Sequence, residues 1–181
     1  MTDIRTQKTQ ELITNIFIDL LKEKPMNKIS VAEITRKANI GRGTFYIHYK
    51  DTYDLYDQLI SKIINDLTEL FDENYPDTQD SPNFQALSNS LISYISTHKT
   101  VFQLLIRDTH GRDIINSIKD IFIKKIMIEE QGDEKDTRYR AFVSFSVSGI
   151  IGVLTDWLNG KFILTDQEVS TIINDIIKTI F

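Results

Sequence analysis

The chain has 181 residues, 41% of them apolar and 26% charged, with no cysteine and a formal net charge of −5. That is enough apolar material for a packed core and too much for a disordered chain, and the missing cysteines exclude a disulfide framework and a thiolate metal site. The charge is uneven: residues 1–50 balance at +4 and residues 51–181 at −9, the pattern of a head that attracts polyanions on a body that repels them, or of ordinary surface charge that segregates. The first residues show no apolar run behind a basic start, so no signal peptide is expected. The longest apolar stretch, 141–154, is broken by Ser144, Ser146, Ser148, Gly149 and Gly152 and is too short to cross a bilayer. A cytoplasmic protein is expected.

Glycine and proline number only seven and three, and apolar residues recur three and four apart, so the spacing predicts an all-α fold of about nine helices. The first helix runs from Thr6 to Glu23 with Leu12, Ile13, Ile16, Phe17, Leu20 and Leu21 as its stripe, and Lys24-Pro25 ends it. Ser30 with Glu33 forms a capping box that opens a second helix. Asn39-Ile40-Gly41 is a turn, since Asn and Gly both tolerate left-handed angles. A short third helix covers Arg42 to Ile47, and Asp51 or Thr52 caps a fourth that runs to Asp72. The polar stretch 72–83 carries Pro76 and Pro82, with Ser81-Pro82 as the start of a helix to His98. Thr100 with Gln103 is a second capping box. Helices follow over 112–129 and 137–159, and Gly160 closes the latter. Thr165 with Glu168 caps a last, isoleucine-rich helix.

The second and third helices with their tight turn make a compact pair suited to DNA. The first of the pair sets the angle of the second, which meets the major groove. Gly41 and Gly43 lack side chains, so backbone can approach closely. Arg42 is suited to a guanine edge or a phosphate, and Thr44 offers a hydroxyl and a methyl. Tyr46, His48 and Lys50 are suited to phosphates along one strand. Ser30 offers a hydroxyl to a phosphate, and Arg36 and Lys37 add charge at the end of their helix. Phe45 and Tyr49 belong to the core.

The run ITRKANIGRGTFYIHYKDTYDL resembles the DNA-binding head of the TetR family of transcriptional regulators. Ile34, Ala38, Ile40, Gly43, Thr44, Phe45, Tyr46, His48, Tyr49 and Leu55 match the family's pattern in type and spacing. Thr35 stands where Ala is usual, Asn39 where Gly is usual, Gly41 where Ser is usual, and Thr52 where a phosphate-contacting Lys is usual. The resemblance implies residues 1–50 as a helix-turn-helix DNA-binding domain, a fourth helix (51–72) as its link, and residues 51–181 as a helical ligand-binding and dimerisation domain. It implies a homodimer on double-stranded DNA, reading a pseudo-palindromic operator as a ligand-responsive repressor.

The helix at 137–159 is apolar around a wide arc and carries several small residues, which suits close helix packing inside one subunit or between two. With the resemblance, the expected dimer interface is Phe142, Phe145, Gly149, Gly152, Val153, Trp157, Ile173, Ile176 and Ile177. The resemblance also implies a small-molecule effector in the body, with Tyr94, Phe102, Phe122, Phe145 and Trp157 as candidate lining. Three scattered histidines, no phosphate-cradling glycine loop and no HExxH spacing give an enzyme little support, and no metal or cofactor is expected. The competing reading is a helical dimeric interaction protein, or co-activator, that no longer reads DNA.

Overall fold

A computed structural model describes residues 4–75, 83–107, 109–130 and 136–180. Among them lie nine α-helices and one 3-10 turn, and no strand: α1 Ile4–Glu23, α2 Val31–Ala38, α3 Arg42–His48, α4 Thr52–Asn74, α5 Phe84–Thr97, α6 Lys99–Arg107, α7 Thr109–Glu129, α8 Thr137–Leu158 and α9 Asp166–Ile180. The fold is all-α. The chain forms two compact units that divide within α4, between Ile63 and Ile64.

The first unit closes around Ile13, Phe17 and Leu20 of α1, Ile34 of α2, Phe45 of α3, Tyr49 and Leu55. The 3-10 turn Met26–Lys28 follows Pro25, a local element that a three-residue window does not announce. Ser30 caps α2, its Oγ accepting the Glu33 amide at 3.3 Å. The reciprocal half of that box is not made: Glu33 instead takes the Lys24 ammonium at 2.5 Å, and that hydrogen bond holds its carboxyl below the usual range. At the turn only Asn39 is left-handed (φ 52°, ψ 44°), while Gly41 has ordinary extended angles (φ −70°, ψ 149°) as the residue before α3. Asn39 therefore does the work of a glycine, its short polar side chain tolerating the left-handed region. Thr35 and Thr52, the two hydroxyl residues at unusual positions, are both buried. Asp51 caps α4 through the Tyr53 and Asp54 amides at 2.8 and 2.9 Å.

The second unit packs α5 on α9, α7 on α6 and α8, and α8 on α9. One cluster gathers Phe71, Tyr75, Leu87, Ile123, Ile126, Met127, Val143 and Val147. Asn83 caps α5, accepting the Ala86 amide at 3.0 Å; Ser81 and Pro82 lie outside the described residues, as do residues 131–135 of the charged loop. The expected box at Thr100 and Gln103 is not formed. Helix α6 starts at Lys99, and the Gln103 amide donates instead to the Leu158 carbonyl at 2.7 Å. The box at Thr165 and Glu168 is complete: Glu168 accepts the Thr165 amide and hydroxyl at 2.8 Å each, and Thr165 Oγ1 accepts the Glu168 amide at 3.3 Å.

Helix α8 is longer than the apolar stretch within it, and by length and composition it is able to cross a bilayer. Here it is a body helix, with Val143, Val147, Trp157 and Leu158 buried among its neighbours. Gly160 ends it at φ +75°, the left-handed position where glycine has no Cβ to strain.

Candidate nucleic-acid interface

Helix α3 is pinned from one side. Phe45 is fully buried, and the Tyr49 ring packs on it at 5.6 Å. The Tyr49 hydroxyl lies 3.5 Å from Thr14 Oγ1, and burial raises its phenol pKa. The opposite side faces solvent. Tyr46 is 56% and Ile47 79% exposed; Arg42, Gly43 and Lys50 are exposed, and Thr44 and His48 half-buried.

Neither glycine at the start of α3 is demanded by the fold. A Cβ on Gly43 would meet nothing within 4 Å, and one on Gly41 would meet only Thr44 Oγ1, at 3.9 Å. Neither has a left-handed φ. Their smallness leaves the helix backbone open to whatever approaches from outside.

The segment after α3 is held by a polar lattice. Asp54 accepts the Lys50 amide at 2.8 Å and the Gln58 amide at 3.2 Å, and Gln58 also donates to the His48 carbonyl at 3.4 Å. The Lys50 backbone hydrogen bond, then that of Gln58, keeps the Asp54 carboxyl below its ordinary range. The Lys50 main chain is thus fixed while its ammonium stays in solvent. On α2, Arg36 is exposed and Lys37 pairs with Glu23 at 3.5 Å. Arg36, Arg42 and Lys50 make no ion pair among the described residues. Ser30, Arg36, Lys37, Arg42, Gly43, Thr44, Tyr46, His48 and Lys50 all lie in the first unit, on α2, α3 or their flanks. Ile47 joins their exposed face; an isoleucine in an apolar-periodic stretch reads as core, so only its angular position opposite Phe45 marked it.

In the second unit a cavity of about 150 Å³ is lined by residues of all six helices from α4 to α9, among them Leu67, Phe71, Phe102, Phe122, Ile150 and Ile173. Among the described residues no charged side chain lines it, and the Ser146 hydroxyl in its wall donates back to the Phe142 carbonyl at 2.8 Å. Phe102 and Phe122 are in the wall; Tyr94, Phe145 and Trp157 are elsewhere. Tyr94 donates to Asp66 at 2.7 Å, lies 4.2 Å from the His98 ring and borders a separate shallow groove. Burial, then the Asp66 hydrogen bond, pushes its phenol up. The Trp157 indole donates to the Leu164 carbonyl at 3.1 Å. Phe145 is 76% exposed and shares an outward stripe of α8 with Phe142, Gly149 and Gly152. Val153 and Ile176 are half-buried; Ile173 and Ile177 are buried in the cavity wall.

Two family models match the chain: "Bacterial regulatory proteins, tetR family" over residues 18–59 and "Transcriptional regulator C-terminal region" over residues 82–179. The HTH-type transcriptional regulator YxbF of Bacillus subtilis (strain 168) is 21% identical over 170 residues, 91% of this chain and 43% of its own. The dhaKLM operon transcriptional activator DhaS of Lactococcus lactis subsp. lactis (strain IL1403) is 33% identical over 66 residues, 36% of this chain and 34% of its own. The chain therefore spans less than half the length of either curated relative. Among solved structures, a tetR-family regulator from Streptomyces coelicolor superposes with a TM-score of 0.70 at 17% identity, covering 94% of this chain and 81% of the other. A transcriptional regulator from Aquifex aeolicus VF5 gives 0.68 at 22% identity, covering 96% and 99%. With one family model on the α1–α4 segment and another on more than half of the chain, the protein belongs to the TetR family of transcriptional regulators.

Proposed function

We propose that this protein is a cytoplasmic, ligand-responsive repressor that binds a pseudo-palindromic operator as a homodimer. The observation that carries the reading is the outer face of α3. A helix anchored by buried Phe45 presents exposed Arg42 and Tyr46 with an open glycine among them, and exposed Lys50 follows just past its end. Exposed cations and hydroxyls on a rigid helix supply phosphate and base-edge contacts together.

The exposed α8 stripe of Phe142, Phe145, Gly149 and Gly152 supports the dimer, because a two-fold axis there would cover aromatic surface with its own copy. The cavity supports an effector that is neutral and apolar in the part it buries, since an unpaired charge there would find no partner among the described residues. Such a ligand shifts DNA affinity only as far as it prefers one state of the protein over the other.

The test is binding to the protein's own upstream DNA at two salt concentrations, beside the double variant Tyr46→Ala, Lys50→Ala. Sequence-dependent, salt-sensitive binding that the variant weakens about tenfold or more supports the reading. Equal binding to unrelated DNA, unchanged in the variant, overturns it in favour of a protein-binding role. The likeness to DhaS, an activator by name, favours a second reading in which the bound dimer switches transcription on. A reporter on the same promoter separates the two: deleting the gene raises expression under a repressor and lowers it under an activator.

A further inference from the structure

We infer that Ile47 is a base-reading residue that recognises the C5-methyl group of a thymine in the major groove. The inference rests on the DNA-binding reading above. At about 100° per residue, Gly43 and Ile47 both stand roughly 160° around the α3 axis from Phe45. Phe45 is fully buried, so this line is the part of the helix farthest from the core. Gly43 contributes no side chain there, and a Cβ added to it would meet no neighbouring group within 4 Å. Ile47, one turn later, is 79% exposed. The first side chain that a surface meets along that line is therefore an isoleucine.

Isoleucine forms no hydrogen bond and gains nothing from a phosphate. Among the groups displayed in the major groove, the thymine methyl is the apolar one. A β-branched side chain in a helix holds essentially one χ1 rotamer, so Ile47 meets that methyl with little freedom to lose. The flanking groups divide the remaining work: Arg42 and Tyr46 on one side of the line, Thr44 and His48 on the other. Ile47 thus specifies an A·T pair at one position of each half-site.

The experiment uses the full chain and a duplex recovered by in vitro selection from a random library. Each thymine in that duplex is replaced singly by deoxyuridine, which removes only the methyl. Binding is measured for the native protein and for Ile47→Ala, a substitution at an exposed site to a better helix former, so that α3 is kept. A buried methyl corresponds to about fourfold in affinity. One thymine per half-site should show that loss with the native protein and none with Ile47→Ala, while Tyr46→Ala retains the methyl effect. If no thymine loses its methyl effect in Ile47→Ala, or a tightly bound duplex has no methyl-sensitive thymine, the inference is overturned and DNA binding is left intact. Failure of the selection to enrich any sequence takes down both readings.

Discussion

Phe45 and Tyr46 are adjacent aromatics with opposite assignments. Phe45 is sealed in the first core, and Tyr46 holds its ring edge-on to it at 5.7 Å while exposing its own far side. Truncating them should separate stability from recognition. Phe45→Ala should cost about 3–5 kcal/mol, a large share of the roughly 5–15 kcal/mol that holds a typical domain folded. Tyr46→Ala should leave the melting temperature nearly unchanged and weaken DNA binding. Calorimetry and binding on the same samples decide this; equal melting losses in both would mean that Tyr46 is a packing residue. Lys50→Ala should reduce the slope of log affinity against log salt by about 1, as expected for one phosphate contact. The sequence pattern separated Phe45 and Tyr49 from Tyr46 because a buried ring every third or fourth residue is a local signal. It did not separate Ile47, whose chemistry argues for the core and whose position argues against it.

Helix ends were legible where their partners are local. Thr165 and Glu168 close on each other within four residues, and the box is complete. Thr100 and Gln103 have the same spacing, yet Gln103 reaches Leu158, 55 residues away, a partner that no local window contains. Asn39 was legible as a turn residue, but that Gly41 would stay in ordinary backbone space was not, because glycine permits both. The complete box carries a pH signature. The Thr165 backbone and then hydroxyl hydrogen bonds lower the Glu168 pKa from 4.5. A carboxyl depressed in the folded state adds stability above its unfolded pKa and loses it as pH falls through the folded one. Melting temperature should therefore decline below about pH 4.5, and Glu168→Gln should flatten that decline. Thr165→Ala should cost about 1 kcal/mol at neutral pH. Thermal melts of both variants across pH 3–6 (roughly the carboxylate range) check this; an unchanged slope in Glu168→Gln would show that other carboxylates govern acid stability.

At the scale of the molecule, α8 has a buried face and an exposed one, and the sequence could not tell them apart. Its apolar residues surround the helix, so periodicity does not say which face meets the body and which faces outward. The structure turns Val143 and Val147 inward and Phe142 and Phe145 outward. Phe145→Glu should leave the helical content intact, convert a sedimenting dimer to monomer and reduce operator affinity with it; a dimer that survives would move the interface elsewhere. Inside, Ile150→Phe should fill part of the cavity, raise stability by about 1 kcal/mol and abolish the rise in melting temperature that a neutral probe such as toluene gives the native protein. A rise that persists would place the probe outside that cavity.

The hollow in the body also bears on how long each molecule survives. Walls that lack partner atoms on one side forgo part of their packing energy, so the empty protein visits unfolded, protease-sensitive forms more often than the filled one. A ligand present at a hundred times its dissociation constant adds about 2.7 kcal/mol to the folded state, and degradation that tracks the unfolded fraction slows accordingly. The molecule that occupies the cavity would then set the regulator's abundance as well as its grip on DNA, and cells exposed to it would accumulate more of the protein without any change in its synthesis.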